Sequence, residues 1–66
     1  MKVEYDPEVD VLRILLSDEA IADSAEEKNG IIFDYSESGN IVGLEILNAS
    51  KHTANPQSLE HIVLTQ

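Results

Sequence analysis

The feature that most limits what this chain can fold into is its period. Along most of its length apolar residues recur at every second position, which suits extended strands with one face turned to a core. In KVEY, Val3 and Tyr5 fall on one side and Lys2 and Glu4 on the other. DPEV then supplies a turn, with Asp6 suited to the first position of a type I turn and Pro7 to the second. DVLRILLS, residues 10–17, is a nearly continuous apolar strand. With Tyr5 paired to Asp10 across the turn, Leu12, Ile14 and Leu16 join Val3 and Tyr5 on one face. Arg13 and Lys2 then fall on the other, wetter face, as a half-buried antiparallel hairpin requires.

SDEAIADS is polar and turn-like and assigns no element. Asn29-Gly30, between two extended segments, suits a type I′ turn, whose central residues both need positive φ. A strand at 23–28 therefore folds back on one at 31–35, and Glu26, Glu27 and Lys28 discourage pairing with other molecules at a sheet edge. NIVGLEIL forms the next strand. A four-residue loop, Ser36 to Gly39, sets Tyr35 opposite Asn40 and Asp34 opposite Ile41. It gathers Ile31, Phe33 and Tyr35 on one face with Val42, Leu44 and Ile46. A register one residue away would place Gly43 and Glu45 under Phe33 instead. Near the end, Asn55-Pro56 suits a helix start, while Ile62, Val63 and Thr65 are β-branched and suit a strand. One helical turn near 56–59 and then a short strand are expected. The fold class is mostly β (α+β): one domain over 1–66, an antiparallel meander sheet of five or six strands with a short helical turn near the C-terminus.

Sixty-six residues make a thin core, since a chain this short buries only about 60% of the surface it exposes when unfolded. Cysteine is absent, which excludes disulfides and thiolate metal sites. Homodimerisation is the expected remedy. The net charge of −9 repels nucleic-acid phosphates and anionic lipid, and it favours a basic protein partner or simply solubility. Lys2 is followed by acidic residues, and the longest apolar run is far below the roughly 20 residues that span a bilayer. The expected compartment is the cytoplasm, with neither membrane nor nucleic acid as partner.

DYSESGNIVGLE, Asp34 to Glu45, matches the calcium-loop template, with oxygen-bearing side chains at its first, third and fifth positions, Gly39 sixth and Glu45 twelfth. Both flanks nevertheless have strand period. With Asp34 opposite Ile41, Glu45 lies four residues further along, about 13 Å away at roughly 3.3 Å per residue. Calcium ligands stand about 2.4 Å from the ion, so the two ends are expected not to share one. Asp6, Glu8 and Asp10 alternate in the same way, but Val11 occupies the glycine position, and a turn with solvated carboxylates is the reading.

His52 and His61 lack neighbouring ligands at metal spacing and are expected on the surface. Ser17, Ser24 and Ser50 lack a nucleophile elbow or a paired base. Glu45 faces the side shared by Asp34 and Arg13, where a surface ion pair is expected. Catalytic, cofactor-binding and metal-ligating residues are therefore all assigned as none, and the chain is expected not to be an enzyme.

YDPEVDVLRILLSD (Tyr5 to Asp18), Ser24, Glu26 and GIIFDYSESGNIVGLEILNASK (Gly30 to Lys51) resemble the DUF2283 (YuzE-like) family of small bacterial and archaeal proteins. The motifs are Tyr5-Asp6-Pro7, Asp34-Tyr35, Val42-Gly43-Leu44-Glu45-Ile46 and Ala49-Ser50. Ser36 and Ser38 stand where the family often carries aspartates. The resemblance implies a small, mostly β domain and no activity. Three functions follow as expectations: a non-catalytic protein-interaction module, an antitoxin-like neutraliser of a basic ribonuclease-type toxin, and a weak metal- or ligand-binding protein using the acidic loops. The toxin reading follows from the resemblance alone, through the toxin-like neighbours of some family members.

Overall fold

The alternating segments become strands and the Gly, Asn, Asp and Pro positions between them become turns. In the computed structural model, which describes residues 1–65, five antiparallel strands form one sheet. They are β1 (Lys2–Asp6), β2 (Val11–Leu15), β3 (Asp23–Glu26), β4 (Ile31–Tyr35) and β5 (Ile41–Leu47). A single helical turn occupies Ala49–Lys51, and a tight loop occupies Lys28–Gly30. The strand order is β1-β2-β5-β4-β3, so the sheet is not one sequential meander. A β1–β2 hairpin lies beside a β3–β4–β5 meander, and residues 16–22 carry the chain across the ends of β5 and β4. Leu16 and Ser17 N–H donate to the Val42 carbonyl along this crossing, and Ala22 N–H donates to that of Tyr35.

The first hairpin closes one residue later at each end than expected. Tyr5 faces Leu12, and the loop runs from Pro7 to Asp10. Asp6 Oδ1 accepts from Glu8 N–H within it, and Asp10 closes it at φ 56°, a conformation Asp tolerates better than most residues. The shift is two in pairing, so the expected faces survive. Leu16 does not join them, because it has left the strand to begin the crossing and is 44% exposed.

At the second turn Asn29 (φ 63°) and Gly30 (φ 75°) are both left-handed, as expected. The loop has three residues instead of two, however, since Glu27 N–H donates to the Ile31 carbonyl. β3 is correspondingly shorter than the expected 23–28, and it lies at the sheet edge. Beyond Lys51 the expected helical turn at 56–59 reduces to an Asn55-capped turn, in which Gln57 N–H donates to the Asn55 side chain and Ser58 N–H to its carbonyl. The expected strand after it does not form in the described residues: 58–65 hold no regular element and 57–65 are exposed. A β-branched run makes a strand only where an edge accepts it, and none does here.

The pairing divides the side chains into two unlike faces, because successive residues of a strand point to opposite sides. One face carries two rows that cross the sheet: Val3, Ile14, Leu44, Phe33, Ala25, and beside it Tyr5, Leu12, Ile46, Ile31. The other carries Lys2, Leu15, Gly43, Asp34, Ser24, and Glu4, Arg13, Glu45, Ile32, Glu26. The strong contacts between elements all join hydrogen-bonded neighbours, so the sheet is a single layer. Among the described apolar residues, the fully buried ones are Val42 and Ala49, at 1% and 0% exposure. Every member of the two apolar rows is half-buried.

Candidate functional site

The apolar face is the larger of two features that the fold sets up. Its rows contain no charged side chain, and the one polar atom, the Tyr5 hydroxyl, turns to the rim and donates to Asp10 Oδ1 at 2.7 Å. Asp10 gathers the lower end of the sheet. Its carboxylate accepts from Ser50 N–H at 3.1 and 3.3 Å and from Ser50 Oγ at 2.6 Å, and its carbonyl accepts from Ala49 N–H. The hydrogen bonds from Ser50, then from Tyr5, hold the Asp10 carboxyl below its ordinary value. The Tyr5 phenol is pushed up by the bond it gives. The turn expected around Asp6, Glu8 and Asp10 is present with Asp6 and Glu8 exposed, and Asp10 has a further role: it ties the first hairpin to the segment after β5. Nothing local in the sequence marks a contact between residues forty positions apart.

The polar face carries the second feature. Asp34, 2% exposed, accepts from Ser24 Oγ at 2.6 Å. Glu45 lies on its other side, within hydrogen-bonding reach of the Asp34 carboxylate. Arg13 Nε stands 3.4 Å from Glu45 Oε1, the ion pair expected from the sequence. Burial, followed by the bond to and charge of Asp34, pushes the Glu45 carboxyl up, against the opposing pull of Arg13. Hydroxyl, two carboxyl groups and a guanidinium thus form a diagonal relay across four strands, from one row of this face to the next.

This contact corrects the expected separation of Asp34 and Glu45. The β4–β5 loop has three residues, with Ser36 N–H donating to the Asn40 carbonyl, and a β-bulge between Asp34 and Tyr35 shifts the register once more. Asp34 therefore faces Gly43 instead of Ile41, and Glu45 is its diagonal neighbour. A glycine inside a strand pattern is the signal that marks a bulge, and Gly43 carried it. The segment is still a hairpin between strands, unlike the helix-flanked calcium loop. Its Ser36 and Ser38 hydroxyls bond each other, and Ser36 Oγ accepts from Asn40 N–H. Among the described residues no three His, Asp or Glu side chains converge as ligands of an ion.

Of the other candidates, His52 and His61 are exposed. Ser24 and Ser50 serve Asp34 and Asp10, and Ser17 Oγ accepts from Glu19 N–H. Two shallow clefts open on the described surface. One is lined by Glu19, Ala20, Ser36, Glu37 and Ser38, the other by Met1, Lys2 and Leu15 to Asp18. Neither reaches Asp34 or Glu45. No described helix is long and apolar enough to cross a membrane.

Comparison with known proteins adds a family and no chemistry. Residues 2–50 match the family model described as a protein of unknown function, DUF2283. An uncharacterised protein of Methanocaldococcus jannaschii is 39% identical over 51 residues, 77% of this chain and 43% of that protein. The chain therefore spans less than half the length of that relative. No solved structure matches.

Proposed function

From the premise that the chain belongs to the DUF2283 family, whose description assigns no activity, we propose that it is a non-catalytic protein-interaction module working through the apolar face of its sheet. The observation that carries this reading is the pair of uninterrupted apolar rows from Val3 to Ala25 and from Tyr5 to Ile31, on which no described strand or helical turn packs as a second layer. A contiguous apolar patch on a small protein marks a contact surface. The polar relay opposite supports it by contrast. Its carboxyl groups are engaged by Ser24 and Arg13, and neither cleft gives a substrate access to them.

A photo-cross-linking amino acid placed at Phe33, on the apolar face, tests the reading against the same group at Glu4, on the polar face. Illumination in cells should give protein adducts, whether to another copy or to a different protein, from position 33 and not from position 4. Equal yields from both, or none from 33, refute it.

A further inference from the structure

Resting on that reading, we infer that the occupant of the apolar face is the same face of a second copy, so that two sheets stack into an isologous sandwich.

Three observations converge on a second copy. The first is area. The chain exposes 5158 Å², whereas a folded monomer of its mass exposes about 4,200 Å², an excess of about 1,000 Å². A standard interface removes about 800 Å² from each partner. Its radius of gyration, 12.9 Å, likewise exceeds the roughly 10.8 Å of a compact chain this long. The exposed 57–65 segment carries part of this excess, and the half-buried apolar rows carry part of it.

The second is charge. Each copy carries −9, which should forbid self-association unless the contact excludes those charges. The two apolar rows contain none of them: the acidic groups lie on the opposite face, in the loops and along β3, where Asp23 marks the border of the apolar face. The third is the alternative route to a dimer. Pairing through the β3 edge would set Asp23, Glu26 and Glu27 against their own copies, and it would leave the apolar face uncovered. Pairing through the β1 edge would likewise leave that face uncovered.

Stacked faces lie about 10 Å apart with interdigitating side chains. β5 is the central strand, so Leu44 lies near the two-fold axis and meets its own copy, as an isologous contact requires. The exposed tail residues Leu59, Ile62, Val63 and Leu64 are a rival cover for the face, as is a basic protein.

The full chain should sediment as two 7.3 kDa units at micromolar concentration. The dimer should tighten as salt rises, because salt screens like charges; a complex with a basic partner would weaken instead. Leu44→Asp should halve the mass. Because that variant could also unfold, single cysteines in this cysteine-free chain supply an independent reading. Leu44→Cys should cross-link to itself through a short bis-maleimide, and Glu4→Cys should not. A monomeric mass at every salt concentration, or equal self-cross-linking at both positions, overturns the inference. Adducts from position 33 to a different protein, with a monomeric chain, would leave the interaction module standing and remove the dimer. A monomer without any adduct from position 33 would remove both.

Discussion

Replacing Gly43 with alanine should loosen the sheet at its centre. A Cβ at that position stands 2.7 Å from the Ile14 carbonyl oxygen and 3.5 Å from Leu15 Cδ2. Carbon–oxygen contacts between strands settle at about 3.3–3.6 Å, so the new methyl is about 0.6 Å too close. The obstacle is backbone held in the β2–β5 ladder, and no side-chain rotation relieves it. Strand propensity alone predicts the opposite sign, because glycine in a strand interior costs about 0.5–1 kcal/mol relative to alanine. Overpacking costs about 1–3 kcal/mol, which leaves a net loss of about 1–2 kcal/mol. A fold of this length holds only about 3–10 kcal/mol in total. Each kcal/mol moves Tm by about 4–8 °C in so small a domain, so Gly43→Ala should melt about 5–15 °C lower. Circular dichroism at one fixed protein concentration reads this, since self-association makes Tm concentration-dependent. An unchanged or higher Tm would refute the close approach of β5 to β2. Gly39→Ala is the comparison, because its Cβ meets nothing within 4 Å and only the φ of +88° opposes it.

Two further predictions concern acid and base. The Glu45 carboxyl is raised by burial and by Asp34, so its contribution to stability is fully present below its ordinary value of 4.5 and is lost as pH rises through the folded value. Glu45→Gln should match the parent chain near pH 4 and gain on it toward pH 7 in denaturant melts; a variant that falls behind as pH rises would show that Arg13 dominates. Asp10 is held low by Ser50 and Tyr5, so its contribution is present above its ordinary value of 3.8 and is lost as pH falls through the folded value. Asp10→Asn, which keeps a residue tolerant of φ 56°, should be less stable at pH 7 and should converge with the parent chain only as pH falls through the folded value, which lies below 3.8. A gap that persists unchanged into acid would place its cause outside the carboxylate.

The faces were legible because the side-chain period is two and the register errors were even. At β4–β5 a loop one residue shorter than expected and a bulge of one residue add to a shift of two, so Phe33 meets Leu44 instead of Val42 yet stays on its face. The same sum was fatal to a distance. It brought Glu45 beside Asp34, two residues nearer than a straight ladder allows. Long-range order was hidden for a different reason: β2 beside β5, and Asp10 beside Ser50, are tertiary choices with no local residue code. The tail misled because Leu59, Ile62 and Val63 fit a helix and a strand equally well, and in the described residues the tail pairs with neither edge of the sheet.

The central claim is that the apolar rows form a contact surface between two copies, and solvent access to their methyl groups tests it most directly. A soluble gadolinium chelate attenuates methyl NMR signals that face water. On diluting the protein, attenuation should rise for Leu12, Ile14, Leu44 and Ile46 while staying constant for Leu15 and Ile32 on the opposite face. Equal and concentration-independent attenuation on both faces would contradict the account.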